Sequence, residues 1–157
     1  MILSYNELMA LGPALLEPFD PELVNPASID IRVGDSFIPE CGATPQSFGG
    51  DTLMVSPKAR FLVSTLEKLI VPSEYAVELR LKSSRAREGW DHALAFWFDP
   101  GWSGIGTMEL VNLNQYTSLG LHTGMKIAQI IVHQLSSPVA RGYEGRYQGA
   151  STVEAPK

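Results

Sequence analysis

Residues 27–38, ASIDIRVGDSFI, alternate apolar and polar side chains along their first half. Ile29, Ile31 and Val33 fall on one side, while Asp30 and Arg32 fall between them, which is the period-two pattern of a half-buried strand. Short segments of the same kind follow, separated by Gly, Pro, Ser, Asp or Asn: TLMVS, ARFLVST, EKLIVP, YAVELRLK, HALAFWF, IGTMELVNL and KIAQIIVHQL. Many short strands at close spacing are typical of a sandwich or a barrel, so we expect an all-β domain.

One short helix is expected before the first strand. In LSYNELMALGP, Ser4 can cap the helix and Glu7 lies three positions later as in a capping box, while Gly12 and Pro13 are expected to end it. A length of 157 residues allows one domain, 1–157. Residues 137–157 lack a periodic apolar face, so we expect a mobile C-terminal lid.

Composition excludes several classes of partner. Seventeen acidic residues against twelve basic ones give a formal net charge of −5, so the chain lacks the broad basic field of a protein that binds nucleic acid or an anionic membrane. No stretch reaches the ~18 consecutive apolar residues of a membrane span, and the N-terminus lacks a basic export signal. A single cysteine, Cys41, excludes an internal disulfide and a Cys-based zinc cluster. We therefore expect a cytoplasmic protein.

Positive charge is concentrated in one short stretch of this acidic chain. Residues 80–87 contain four of the twelve basic residues, Arg80, Lys82, Arg85 and Arg87. Backbone N–H groups and the hydroxyls of Ser83 and Ser84 can converge on phosphate oxygens at a strand-to-turn junction, with the cations supplying charge-assisted bonds. A solvated, salt-bridged surface explains the local pattern equally well.

Motifs elsewhere in the chain favour the phosphate site. The set resembles the dCTP deaminase family of the trimeric dUTPase-like superfamily and follows that family's order: Pro26 to Gly34, Ser83 to Arg87, Asp99 to Gly104, Glu109 seven residues after Trp102, and Tyr147 to Gly149. The resemblance implies a distorted β-barrel or β-sandwich that works as a homotrimer with shared active sites. It also implies hydrolysis of dCTP to dUTP and ammonia.

The resemblance assigns the site residues. Catalysis would involve Glu109, Ser83, Arg87 and the backbone carbonyl of Ala95. Substrate binding would involve Lys82 and Ser84 at the phosphates, Asp99 and Trp102 at the deoxyribose, and Tyr143, Arg146 and Gln148 in the lid. The chain departs from the family at Lys82, which replaces an arginine, at Ala150, which replaces the second glutamine of Tyr-Gln-Gly-Gln, and in a shorter loop between Tyr143 and Arg146.

Glu109 is the expected proton carrier. It is in phase with Ile105, Val111 and Leu113, so we expect its carboxyl to face an apolar interior that raises its pKa and suits proton transfer. A buried acid paired with an arginine for stability is the alternative. The chain lacks the His-x-Glu and Pro-Cys-x-x-Cys ligands of zinc deaminases, so we expect no metal site for deamination. Mg²⁺ is expected only as a companion of the triphosphate.

Two other functions remain open at this point. The first is a dUTP diphosphatase, or a bifunctional enzyme that also releases pyrophosphate, although the acid of Asp-x-x-Tyr-x-Gly-Glu is absent directly after Gly104. The second is a catalytically silent protein that binds dCTP, dUTP or dTTP. The residue Glu109 favours an enzyme.

Overall fold

The computed structural model describes residues 1–40, 42–93 and 95–156 of the chain. The expectations placed on Cys41, on Leu94 within HALAFWF and on the last lid residue, Lys157, therefore lie outside the described residues. The described chain is mostly β, as expected. The helices are α1, Tyr5–Leu15, and α2, Ser83–Glu88, with a 3₁₀ turn at Pro21–Leu23. The strands are β1 Leu16–Glu17, β2 Val24–Asn25, β3 Ser28–Pro39, β4 Gln46–Ser47, β5 Leu53–Val55, β6 Arg60–Ile70, β7 Tyr75–Leu81, β8 Trp90–His92, β9 Trp97–Phe98, β10 Ser103–Asn112, β11 Leu119–Leu121 and β12 Lys126–Gln134.

The N-terminal helix begins where the sequence predicts. The backbone N–H of Ser4 donates to Glu7 Oε2 at 2.8 Å and the Ser4 hydroxyl donates to the same oxygen at 2.7 Å. The expectation that Gly12 and Pro13 end the helix is wrong, because the helix continues to Leu15. Leu8, Gly12 and Leu15 form its buried face, and this packing outweighs the cost of about 3 kcal/mol for a proline inside a helix.

The structure adds a second helix at the basic stretch. SSRARE was expected to form a turn after a strand, but it winds into the six-residue helix α2 and ends at Gly89. Gly89 adopts a φ of 107°, a left-handed conformation that favours glycine and closes the helix. Arg85 supports the helix through an ion pair with Glu88 three residues later, at 2.7 Å.

One antiparallel sheet holds most of the chain. Its strands lie in the order β8-β10-β6-β3-β12-β7-β9, with β1, β2 and β4 on its flanks, and β5 pairs with β11 separately. The segments ARFLVST and EKLIVP, expected as two strands, form the single strand β6. Register shifts occur in the pairings of β3 with β6 and with β12 and of β10 with β6, and such bulges bend a sheet. The sheet therefore curls around the core as a half-barrel.

The charged face of β3 is buried rather than solvated, which corrects the half-buried expectation. Asp30 is only 5% exposed, and Glu67 of β6 is fully buried. Arg32 Nε donates to Glu67 Oε1 at 2.6 Å, and the Arg32 backbone N–H donates to Glu67 Oε2 at 2.9 Å. Ion pairing thus compensates these charges and ties β3 to β6.

The C-terminal segment runs along β10 without helix or strand. Gly149 N donates to Ser103 O at 2.8 Å, and Ile105 N donates to Ala150 O at 2.7 Å. Val153 is fully buried. A Cβ on Gly104 would lie 2.8 Å from Ala150 N, so only glycine permits this close approach. Within the described residues, no helix combines the length and the apolar character needed to cross a bilayer.

Candidate functional site

A cavity of about 310 Å³ opens beside the outer face of β10. Five residues expected at the site from the sequence line it: Ala95, Asp99, Trp102, Glu109 and Tyr143. The other lining residues are Arg60, Leu62, Trp97, Phe98, Ile105, Thr107, Tyr147, Ala150, Glu154 and Pro156. The cavity therefore combines an aromatic wall with several carboxyl groups, which is a surface that suits a small polar ring compound.

Glu109 occupies the face of β10 that looks away from the core. Met108 and Leu110 on the opposite face are buried, whereas Glu109 is half-buried under the loop that follows β8. The expectation that its carboxyl faces the apolar interior is therefore wrong: it is in phase with Ile105 and Val111, but that face lines the cavity. The Ala93 backbone N–H donates to Glu109 O at 3.3 Å, which holds the loop close.

Burial still has the expected effect on the Glu109 carboxyl. Loss of solvent raises the pKa of Glu109, while a hydrogen bond from its own backbone N–H and the charge of Arg60 oppose this shift. Its Oε2 atom is buried and accepts no hydrogen bond from any residue that the structure describes. An unsatisfied buried carboxyl oxygen is costly in a purely structural residue, which favours a role in chemistry.

The turn from Asp99 to Trp102 forms the rim of the cavity. Trp102 N donates to Asp99 O at 3.1 Å, and Asp99 Oδ1 accepts from Trp97 Nε1 at 3.0 Å. Gly101 has a φ of 84°, and a Cβ there would lie 2.8 Å from the Cα of Gly142. The Trp102 ring packs on Phe98 with ring centroids 4.6 Å apart and is mostly buried. The turn is thus fixed by backbone geometry and aromatic packing.

The three expected lid residues have different environments. Tyr143 lines the cavity, and its backbone N–H donates to Pro100 O at 2.8 Å. Gln148 does not line the cavity: its Oε1 accepts from Ser103 N at 2.9 Å, and its Nε2 donates to Gly101 O at 2.8 Å. Arg146 is exposed and does not line it either. Gln148 therefore fastens the segment to the rim through its amide.

The basic helix lies outside this cavity. Ser83, Ser84 and Arg87 are exposed on α2, and none of them is among the residues that line the cavity. Lys82 precedes the helix, and its ammonium group contacts the buried carboxylate of Asp30. Lys82 is thus held by an acid within its own chain. Within one copy of the chain, the residues around Glu109 lie together, whereas Ser83, Ser84 and Arg87 of α2 lie outside their cavity.

His92 lies near Glu109 along the sheet but outside the cavity. His92 pairs with Leu110 across β8 and β10, and its ring meets Phe96 edge-on with ring centroids 4.4 Å apart. Burial lowers the pKa of His92; nearby Asp91 opposes this shift and Arg80 adds to it. A neutral imidazole packed on an aromatic ring is consistent with a structural role.

Ten lining residues were not predicted as site residues from the sequence, and four of them carry charged or hydroxyl groups: Arg60, Thr107, Tyr147 and Glu154. Thr107 lies two residues before Glu109 on one strand face, so the period-two pattern could have indicated it. The position of Glu154 follows from tail packing, which has no local sequence signal. Across residues 1–40, 42–93 and 95–156, no three His, Cys, Asp or Glu side chains group as they would around a metal ion.

The curled sheet and its rim turn place the protein in the dUTPase-like class of folds. A structure of 2′-deoxycytidine 5′-triphosphate deaminase from Agrobacterium tumefaciens superposes with a TM-score of 0.70 at 18% identity, over 83% of this chain and 48% of that one. This chain therefore spans about half the length of the Agrobacterium chain. A dUTPase of phage 80alpha superposes with a TM-score of 0.53 at 14% identity, over 75% of this chain and 83% of that one.

The sequence comparisons define the family. A sequence model described as dCTP deaminase-like matches residues 3–135, so the chain belongs to the dCTP deaminase-like family. The dCTP deaminase of Thermococcus kodakarensis is 36% identical over 144 residues, which cover 91% of this chain and 90% of that protein. A protein named dCTP deaminase, dUMP-forming, from Thermobifida fusca is 35% identical over an alignment of 174 positions, which covers 95% of this chain and 88% of that protein. The family match ends before the C-terminal segment.

Proposed function

We propose that this protein is a dCTP deaminase that hydrolyses dCTP to dUTP and ammonia without zinc. The observation that carries the proposal is Glu109, whose half-buried carboxyl has a raised pKa and an unpartnered oxygen within the described residues. Membership of the dCTP deaminase-like family and identity of 36% to a protein named dCTP deaminase support the substrate class.

The proposed reaction uses Glu109 as a proton shuttle. Water attacks carbon 4 of the cytosine ring, and Glu109 takes one of its protons and passes it to ring nitrogen 3, which receives the electron pair of the C4–N3 double bond; a carbon–oxygen bond forms and carbon 4 becomes tetrahedral. Glu109 then moves the remaining hydroxyl proton to the amino nitrogen, the carbon–nitrogen bond breaks, and ammonia departs as the C4 carbonyl of uracil forms. A raised pKa suits this exchange because the carboxyl must accept and return a proton near neutral pH. The Ala95 carbonyl is proposed to hold the attacking water.

The remaining sequence-derived residues bind the nucleotide in this proposal. Asp99 accepts from the 3′-hydroxyl and the Trp102 ring packs on the deoxyribose, since both line the cavity at its rim. Ser84 of α2 contacts the triphosphate together with Tyr143 and Arg146, whereas Ser83 and Arg87 lie beside Glu109, position the water and stabilise the charged forms. Lys82 contributes charge to this region while its ammonium contacts Asp30. Residues 137–157 act as the lid, with Gln148 fastening it to the rim.

The active site is proposed to form between copies of the chain. Ser83 and Arg87 are exposed and do not line the cavity of Glu109, so a single chain lacks the complete set. A homotrimer in which α2 of one subunit faces the Glu109 cavity of the next would complete it, and cyclic contacts of this kind close naturally into a ring. The proposed location is the cytoplasm.

A second activity is favoured by one relative. The Thermobifida fusca protein named dUMP-forming is 35% identical to this chain, so hydrolysis of dUTP to dUMP and pyrophosphate is the second candidate. Mg²⁺ is proposed to arrive with the triphosphate, and no step of the deamination is assigned to it. Binding of dTTP belongs to the same proposal, because its sugar and phosphates match those of dCTP.

Incubation with dCTP or dUTP, with and without EDTA, tests the proposal. Purified protein should release ammonia from dCTP, with a matching change in the ultraviolet spectrum of the base, and EDTA should not stop it. Pyrophosphate release that requires Mg²⁺ would add the second activity. Thermal stabilisation by dCTP without any product would contradict the proposal and indicate a nucleotide-binding protein instead.

A further inference from the structure

Glu154 is a cavity residue that the proposed mechanism does not use. It is half-buried and lines the cavity together with Glu109. It lies in the C-terminal segment, outside residues 3–135, to which the family model matches. Family membership therefore assigns it no role, and its function must be argued from its position and chemistry.

Hydrogen bonds fix the backbone around Glu154. The Glu154 N–H donates to Thr107 Oγ1 at 3.0 Å, and Thr107 lies on the same face of β10 as Glu109. The preceding N–H of Val153 donates to Ser36 Oγ at 3.3 Å, and the hydroxyls of Ser36 and Thr152 lie 2.7 Å apart. Val153 itself is fully buried. This anchoring holds Glu154 beside the strand that carries the reacting carboxyl, so it is part of the cavity wall rather than a loose tail residue.

The side-chain amide of Gln148 in the C-terminal segment is not directed to the place in the cavity wall that Glu154 occupies. Both polar ends of the Gln148 side chain are bonded to backbone groups at Ser103 and Gly101. Ala150 is buried and offers only a methyl group, while its carbonyl oxygen accepts from Ile105 N at 2.7 Å. Among the segment's residues that line the cavity, Glu154 is the one with a carboxylate.

A carboxylate distinguishes the two pyrimidines by their polar edges. The exocyclic amine of cytosine donates hydrogen bonds, and Glu or Asp is its matching acceptor. Uracil carries a carbonyl oxygen at the same place, which a carboxylate repels. We propose that Glu154 accepts a hydrogen bond from the 4-amino group of the substrate and thereby selects amino over keto pyrimidine nucleotides. This inference rests on the proposed function. It also gives a reason for product release, because loss of ammonia replaces an attractive contact by a repulsive one.

Binding selectivity tests this inference separately from turnover. The Glu109→Gln background removes the shuttle, so the dissociation constants of dCTP and dUTP can be measured without reaction. Adding Glu154→Gln should reduce the preference for dCTP about tenfold or more, because an amide can donate to the uracil oxygen and a charge-assisted bond is lost. Glu154→Asp should keep part of the preference. Glu144→Gln is the matched control, since Glu144 is exposed on the same segment and pairs with Arg141 at 2.6 Å.

In the wild-type background, Glu154→Gln should lower kcat/KM for dCTP about tenfold. An unchanged ratio of dCTP to dUTP affinity, in a variant that unfolds thermally like the wild type, would overturn the inference. If Glu154→Gln lowers the thermal midpoint, Glu154→Asp decides, because it keeps the carboxylate: a preference for dCTP as low as that of Glu154→Gln overturns the inference. Absence of ammonia from wild-type protein would instead contradict the proposed function, and the affinity ratio would still test Glu154.

Discussion

The cavity around Glu109 and the basic helix α2 are built in opposite ways. The cavity has a fixed frame: backbone hydrogen bonds join its rim, the C-terminal segment and β10, and Trp102 and Ala150 are buried within it. Helix α2 has no buried residue, and its serines and Arg87 meet solvent. The chain therefore completes the part that would hold the sugar and base, whereas its candidate phosphate site is left open. In the proposed trimer, a second copy covers it.

Replacing Glu109 by Gln should give the largest effect. The amide cannot accept and return a proton, so turnover of dCTP should fall about 10²- to 10⁴-fold, the usual contribution of a general acid–base residue. The dissociation constant of dCTP should change little, because the cavity wall keeps its shape. Ammonia release and calorimetric binding measure the two quantities. Activity near the wild-type level would remove Glu109 from the catalytic role and leave the cavity as a binding site only.

Arg87→Ala should be the next largest effect, with kcat/KM reduced about a hundredfold through loss of a charge-assisted contact. The Arg87→Ala variant also allows a complementation test of the shared site. If Arg87 and Glu109 of one site come from different subunits, the impaired Arg87→Ala and Glu109→Gln chains should show more activity when they are refolded together than either variant shows alone. Random assembly into trimers would make about one site in four complete.

Mixing controls make the complementation decisive. A chain that carries both substitutions, mixed with Glu109→Gln, should regain nothing, because no site can then contain both intact residues. Failure of the single variants to complement, in mixed oligomers verified by mass, would contradict a site shared between copies. The comparison between an internally completed cavity and an open helix would then need a different explanation.

Gln148→Leu tests whether the frame of the cavity is really fixed. Leucine keeps much of the volume but loses the bonds to Ser103 N, Gly101 O and Tyr143 O. These groups are solvent-accessible, so we expect a KM for dCTP about fivefold higher with nearly unchanged kcat. Hydrogen exchange at Ser103 should become faster. Gln115→Leu, in an exposed loop, is the matched control, and equal effects of the two variants would show that Gln148 does not fasten the segment.

The sequence predicted the fold class because period-two alternation is a local signal, which the first half of β3 carries in its residues and β10 carries in its burial. It did not predict the continuation of α1 past Pro13, which goes with the burial of Leu15, or the helical form of SSRARE, which Gly89 closes and the Arg85–Glu88 ion pair supports. The segments ARFLVST and EKLIVP form one strand rather than two. Glu67, at their junction, is buried in an ion pair with Arg32, and its charge suggests a break in the strand only when this partner is unknown.

The sequence predicted the part of the site that lies in local motifs. Asp99, Trp102 and Glu109 lie in motifs with fixed spacing, and they do line one cavity. The contact of Lys82 with Asp30 spans 52 positions and has no local pattern. Glu154 is placed by the burial of Val153 and by bonds to Ser36 and Thr107, so no motif could indicate it. Residues positioned by long-range packing require the structure.

The smallest expected effect concerns stability and its dependence on pH. The pKa of the Glu109 carboxyl is raised by burial above its ordinary value of 4.5. Well below pH 4.5 the carboxyl is protonated in both the folded and the unfolded chain, so it contributes no difference. As pH rises further, the unfolded chain ionises first, and the folded chain loses stability until the pH has passed the raised pKa of the folded carboxyl.

The substitution Glu109→Gln removes this loss of stability. Urea unfolding should therefore show the variant gaining stability relative to wild type between acidic and neutral pH, by less than about 1 kcal/mol because solvent screens a half-buried charge. Glu144→Gln should show no such trend, and a pH-independent difference for Glu109→Gln would mean that the carboxyl is solvated like any surface acid, which would remove the contrast between the cavity and the exposed helix.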